Sequence, residues 1–140
     1  MVSASHEFFD HTADVGMRVQ ADSLPLLFEQ AARGLVELLV ESSQIKPQET
    51  RSINLTGSST AELLRLWLTE VLVWFDTDRF IPSSYNLEIT GDTTLRGSVQ
   101  GERFDPPRHA SGTEVKGITR HQFQLERADG HWEAQVIFDV

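Results

Sequence analysis

Val15-Gly16-Met17-Arg18-Val19-Gln20-Ala21 alternates apolar and polar residues, and the Ser23-Leu24-Pro25-Leu26-Leu27-Phe28 that follows does not. A period of two fits a half-buried strand, whose successive side chains point to opposite faces. From Leu24 the apolar residues Leu27, Phe28, Ala31, Leu35, Leu38 and Leu39 recur at helical spacing. Ser23 can cap that helix and Pro25 suits its first turn. An amphipathic helix is therefore expected over residues 24–41. A strand that hands over directly to a helix sets the fold class.

Downstream, Pro47 punctuates the exit from the helix, and Ser52-Ile53-Asn54-Leu55-Thr56 reads as a short alternating strand. Ser59-Thr60-Ala61-Glu62 is a capping box. The apolar residues of the helix it opens, among them Leu63, Trp67, Val71, Trp74 and Phe75, cover more than one face, so this helix should be the more deeply buried. Trp67 and Trp74 stand seven apart, which is core spacing rather than a base-stacking platform. Tyr85-Asn86-Leu87-Glu88-Ile89 and Leu95-Arg96-Gly97-Ser98-Val99 flank Gly91-Asp92 and predict a hairpin. Residues 105–112, rich in Pro, Gly, Ser and His, read as a loop. Residues 114–126 read as one strand with His121, Phe123 and Leu125 on a shared face. After the Asp129-Gly130 turn, Trp132-Glu133-Ala134-Gln135-Val136-Ile137-Phe138-Asp139 alternates again, almost to the chain end. The expected architecture is α+β: a single two-layer domain over residues 1–140, a mixed or antiparallel β-sheet with two amphipathic helices packed on one face.

At 140 residues the chain can bury roughly 65–70% of its unfolded surface in one core. Its net charge of −9 argues against stable nucleic-acid binding, which needs a surplus of Lys and Arg facing phosphates. That charge suits a cation or a basic partner protein. Without cysteine there are no disulfides, thiolate metal sites or cysteine nucleophiles. No apolar window reaches the ~20 residues of a membrane span, and no secretory signal is visible at the N-terminus. A cytoplasmic location is the expectation.

The charges at the two ends carry the chemistry. Asp10-His11-Thr12-Ala13-Asp14-Val15-Gly16 precedes the first strand, and Ile137-Phe138-Asp139-Val140 closes the last one. If those strands are neighbours, Asp14, Asp139 and the carboxylate of Val140 converge. Such a cluster of oxygen ligands suits a hard cation such as Ca²⁺ or Mg²⁺. Locally, Asp10 and Asp14 could equally be turn residues bonding nearby backbone. His11 could be a ligand, a supporting donor or a proton carrier. In Glu114-Val115-Lys116-Gly117-Ile118-Thr119-Arg120-His121 a period of two puts Glu114 and Lys116 on one face, and Gly117 and His121 on the other. A glycine in mid-strand often marks close backbone approach. There is no G-x-S-x-G elbow, P-loop or G-x-G-x-x-G cradle.

Together, His11-Thr12-Ala13-Asp14-Val15-Gly16, Leu63-Leu64-Arg65-Leu66-Trp67-Leu68-Thr69-Glu70, residues 114–121 and Ile137-Phe138-Asp139-Val140 resemble the archease family, in order and across nearly the whole chain. Gly117 stands where that family usually has alanine, and Arg120 where an aromatic residue is common. The resemblance implies an accessory protein that activates an RtcB-type RNA ligase in tRNA splicing or RNA repair. It would promote guanylylation and multiple turnover of that ligase, with no catalytic residues of its own. The resemblance also implies a divalent cation on Asp14, Asp139 and Val140, and a functional role for Lys116. Glu114, His11 and His121 are further functional candidates. Two other readings stay open. One is a metal-dependent phosphoester hydrolase with His11 or His121 as general base. The other is a general chaperone or binding module exposing a broad apolar patch.

Overall fold

In the computed structural model, which describes residues 3–11, 13–41 and 44–140, the elements run β1 (Ala4–His11), β2 (Asp14–Ala21), α1 (Leu24–Leu39), β3 (Val40–Glu41), β4 (Glu49–Thr56), α2 (Thr60–Asp78), β5 (Phe80–Thr90), β6 (Thr94–Arg103), β7 (Ala110–Ser111), β8 (Gly117–Ile118), β9 (Gln124–Ala128) and β10 (His131–Asp139). Thr12 of the motifs above falls outside the described residues. The α+β expectation holds, and every strand pairing is antiparallel.

The helices form for the reasons their sequences suggest. Ser23 Oγ accepts the Leu26 N–H, and α1 buries Leu27, Phe28, Ala31, Ala32 and Leu35 completely. Ser59 Oγ accepts the Glu62 N–H at 3.1 Å, and α2 ends where Arg79 turns left-handed at φ 59. The Trp67 indole N–H donates to the Phe28 carbonyl at 3.0 Å, tying α2 to α1 inside the core. Trp67 and Trp74 meet edge to face at 6.0 Å, which places both tryptophans in packing.

α1 stops at Leu39, two residues short of the expected end. Val40 is already extended (φ −137, ψ 124), a geometry a β-branched residue favours. The carbonyls of Leu38 and Leu39, orphaned by the helix end, accept the N–H groups of Thr113 at 2.6 Å and Gly112 at 3.0 Å. A Cβ on Gly112 would lie 2.2 Å from the Leu38 carbonyl oxygen, so only glycine allows this approach. β3 then pairs with β7, inside the stretch that reads as loop.

Five strands form one sheet in the order β1-β2-β10-β8, with β9 also on β10; β4-β6-β5 form another. The β5–β6 hairpin turns through the three residues between Thr90 and Thr94, with Gly91 (φ 60) and Asp92 (φ 62) both left-handed and the Thr93 N–H donating to the Thr90 carbonyl at 3.4 Å. In β2, Met17, Val19 and Ala21 are buried beneath α1, whereas Arg18 and Gln20 are exposed on the outer face.

Two further segments differ from expectation. Residues 4–11 form a full strand although no alternation announces it. The single strand over residues 114–126 does not exist. Val115 and Ile118 are both buried, and a spacing of three is incompatible with one face of a strand. Between Glu114 and Phe123 only Gly117–Ile118 pairs with β10, and Gln124–Glu126 already belong to the separate strand β9. The chain then turns, with the Phe123 N–H on the Arg120 carbonyl and Gln122 at φ 51, before β9 begins. His121 lies exposed in that turn, while Phe123 and Leu125 pack on the core.

Candidate functional site at the end of the five-stranded sheet

Register assembles the site. His11 pairs with Asp14 across β1 and β2, and Phe138 pairs with Val15 across β10 and β2. The pairing stops there, one residue short of Asp14 at the start of β2 and of Asp139 at the end of β10, so the two aspartates lie at adjoining strand ends. On the other side of β10, Asp139 pairs with Gly117. Residues directly opposite in antiparallel strands share a face and stand about 4.5–5.5 Å apart at Cβ. The outermost row of the sheet therefore reads His11, Asp14, Asp139, Gly117. A Cβ on Gly117 would meet nothing within 4 Å, so the row is open on that side.

The sheet end is braced by main-chain bonds. The Lys116 N–H donates to the Asp139 carbonyl at 2.7 Å, and the Thr119 N–H to the Ile137 carbonyl at 3.0 Å. Lys116 thereby flanks Val140, whose side chain packs against the core. Glu114 and Lys116 are exposed, with the buried Val115 anchoring the segment between them. His11 Nδ1 is 3.9 Å from Asp14 Oδ2, is buried and has no hydrogen-bond partner. Its ring lies 5.6 Å from that of His121. Asp10 alternates to the opposite face of β1 and stays outside the row.

An apolar floor lies behind the row, and nothing in the sequence pattern pointed to it. Gly16 pairs with Phe9 on one side and Ile137 on the other. A Cβ on Gly16 would fall 2.2 Å from Phe9 Cζ, so the ring lies directly over the glycine. Ile137 is fully buried although it is on the outer face. The Arg18 guanidinium sits 4.1 Å from the Phe9 ring centroid, closing the far side. Phe9 alone, beside charged neighbours, carried no periodic signal; the glycine opposite it becomes meaningful only once register is known.

The donor set fits a hard cation in kind. Asp14 and Asp139 supply carboxylates, Val140 supplies main-chain oxygens, and the unpartnered His11 stands beside Asp14. Among the described residues no three His, Asp or Glu side chains gather into a metal-holding group. Two carboxylates and one terminal residue provide fewer than the six to eight oxygens Ca²⁺ takes.

An antiparallel sheet backed by two helices, with histidine, two aspartates and the last residue at one end, defines a small α+β domain with an acidic sheet tip. The archease protein family matches residues 6–140. The chain belongs to that family. It is 37% identical to the protein archease of Saccharolobus islandicus strain M.14.25, covering 97% of this chain and 99% of that one. It is 35% identical to the protein archease of Methanopyrus kandleri, over 96% of this chain and 98% of that protein. The solution structure of a Methanobacterium thermoautotrophicum protein superimposes with a TM-score of 0.82 at 33% identity, covering 96% of this chain and 98% of its own. The fold alone is shared with an archease from Thermotoga maritima described as a possible chaperone, at TM-score 0.67 and 19% identity over 94% of each chain.

Proposed function

We propose that this protein is an accessory activator of an RtcB-type RNA ligase, acting through the acidic tip and not joining RNA itself. The observation that supports this best is the terminal row, in which register sets Asp139 and Asp14 at adjoining strand ends while Lys116 is held next to Val140 by its N–H on Asp139. A cation on Asp14, Asp139 and Val140 would supply positive charge for phosphate oxygens. The remaining positions around it would be filled by water or by groups of the partner. Lys116, whose ammonium makes no ion pair among the described residues, is free to meet a phosphate or carboxylate outside the chain. No helix of the described residues is long and apolar enough to cross a membrane.

Docking at a tip suits activation better than autonomous hydrolysis. The row lies on an exposed sheet end, whereas catalysis gains most where water is excluded and dipoles are preorganised. The test is a guanylylation and multiple-turnover RNA ligation assay with the purified cognate ligase. Stimulation by the intact protein, and no phosphoester cleavage by the protein alone with Ca²⁺ or Mg²⁺, is expected. Equal ligase turnover with and without it would overturn the reading.

A further inference from the structure

β1 is the terminal strand of the five-stranded sheet, so half of its backbone N–H and C=O groups face outward with no strand to receive them. Of the other edges, three are short or broken, and the fourth, β4, exposes no large apolar side chain. β9 has five residues and β8 two. β5 carries Pro82 and a register shift at that point, and the charges of β4 are taken up by Arg51 bridging Glu49 and Asp78, each at 2.8 Å. β1 has eight residues, no proline and no bulge against β2. It also carries Phe8, 39% exposed, one of two large apolar side chains left exposed among the described residues.

Its charges say what would fit. Glu7 is on the outer face, its side chain 70% exposed and only 3.8 Å from Arg18. Asp10 is exposed and has no ion pair among the described residues, and by alternation it shares the inner face with Phe8. We propose that this edge docks an extended, basic segment of a partner protein, added antiparallel to β1. Read from its N-terminus, such a segment would present a cation opposite Asp10, any residue opposite Phe9, an apolar residue opposite Phe8 and a cation opposite Glu7. Main-chain bonds would supply affinity and this alternation specificity, as in other strand-addition complexes. The docking does not depend on the ligase reading. It uses the outward edge of β1, which meets the row of the tip only at His11.

The probe is the synthetic peptide Thr-Ser-Lys-Thr-Ile-Lys-Ser-Thr, titrated into the isotope-labelled full chain and followed by amide NMR and hydrogen exchange. Shifts concentrated in residues 4–11, with slowed exchange of outward-facing β1 amides, are expected. Phe8→Lys and the double variant Glu7→Lys/Asp10→Lys should each weaken binding at least tenfold. Because the double variant changes only exposed carboxylates, it stays informative if Phe8→Lys is poorly folded. Glu126→Lys, on β9, should bind as wild type does. The proposal is overturned by absence of binding, by equal binding of an order-scrambled peptide, or by shifts spread over the acidic surface generally. It is also overturned if sedimentation shows that β1 is already occupied by a second copy of the chain.

Discussion

The main-chain N–H of Lys116 donates to the carbonyl of Asp139 at 2.7 Å, so the lysine is held in place by its backbone while its side chain remains exposed. Its contribution to folding and its proposed contribution to ligase activation are therefore separable. Lys116→Ala keeps the backbone bond and is expected to change stability by no more than about 0.5 kcal/mol. It should strongly reduce stimulation in a multiple-turnover ligation assay. Full stimulation by the variant would reduce Lys116 to a solvated charge.

Asp14 and Asp139 lie at adjoining strand ends, and like charges on neighbouring strands are destabilising. A bound cation relieves that repulsion. Ca²⁺ or Mg²⁺ is therefore expected to raise the melting temperature, and Asp14→Ala and Asp139→Ala should each abolish tight binding in calorimetric titration. Far-ultraviolet circular dichroism should show both variants folded. Undiminished affinity in the two variants would end the cation proposal.

Glu102 is 2% exposed. Burial alone would raise its carboxyl, yet the Arg108 guanidinium and the Lys46 N–H, at 2.6 Å, outweigh that and hold it below the ordinary glutamate value. His109, also buried, accepts the Asp105 N–H at 2.8 Å and turns its other nitrogen to within 3.4 Å of Glu102. Arg108→Ala leaves a buried carboxylate under-compensated and should cost about 1–3 kcal/mol at neutral pH. A carboxyl with a lowered folded value adds stability above its unfolded value, about 4.3, and loses it as pH falls through the folded value. The difference between variant and wild type in urea denaturation should hence narrow in acid. A difference independent of pH would show that the pair does not govern this segment.

The helices were legible because their faces are apolar at one period and their caps are local: Ser23 and Ser59 bond the residues that the sequence suggests. β1 was not, because Ala4-Ser5-His6-Glu7-Phe8-Phe9-Asp10-His11 puts charge and apolar surface on both faces. His6 is turned inward and remains only because Gln30, at 2.6 Å, and Glu37, at 2.9 Å, satisfy its two ring nitrogens from α1. Such tertiary compensation leaves no periodic trace. Residues 114–126 misled for the converse reason, since charges at alternate positions imitate a strand where coil, a two-residue bridge and a turn occur. That the strands carrying Asp14 and Asp139 are neighbours could be anticipated from the chain ends. That His121 reaches the His11 ring from a turn could not, because it depends on the left-handed Gln122 that follows.

His131 offers a pH test remote from the tip. Its hydrogen bond to Glu133, at 2.8 Å, together with Asp129, raises its affinity for a proton above the ordinary histidine value. A raised folded value means stability that is fully present below the unfolded value, about 6.5, and is lost as pH rises through the folded one. Glu133→Gln should remove part of that dependence, so that denaturation midpoints fall less steeply between neutral and mildly alkaline pH than in wild type. NMR titration of the His131 ring checks the cause. A midpoint at or below the unfolded value would exclude it.

The last prediction concerns Val140. Its side chain packs on the core while its neighbour Asp139 accepts the Lys116 N–H, so the position of its main-chain oxygens is constrained from two sides. If those oxygens complete the cation site, ligand distances of about 2.3–2.6 Å for Ca²⁺ leave little room for additional residues running through it. Extending the chain beyond Val140 with a cleavable tag should then weaken Ca²⁺ binding and ligase stimulation, and removal of the tag should restore both. The same tag placed before Met1 should be without effect on either. An exposed strand end with no ligand role predicts the reverse, since extensions at such ends are ordinarily tolerated. Equal Ca²⁺ affinity in the two tagged proteins would take Val140 out of the site and leave Asp14 and Asp139 to hold the cation with water.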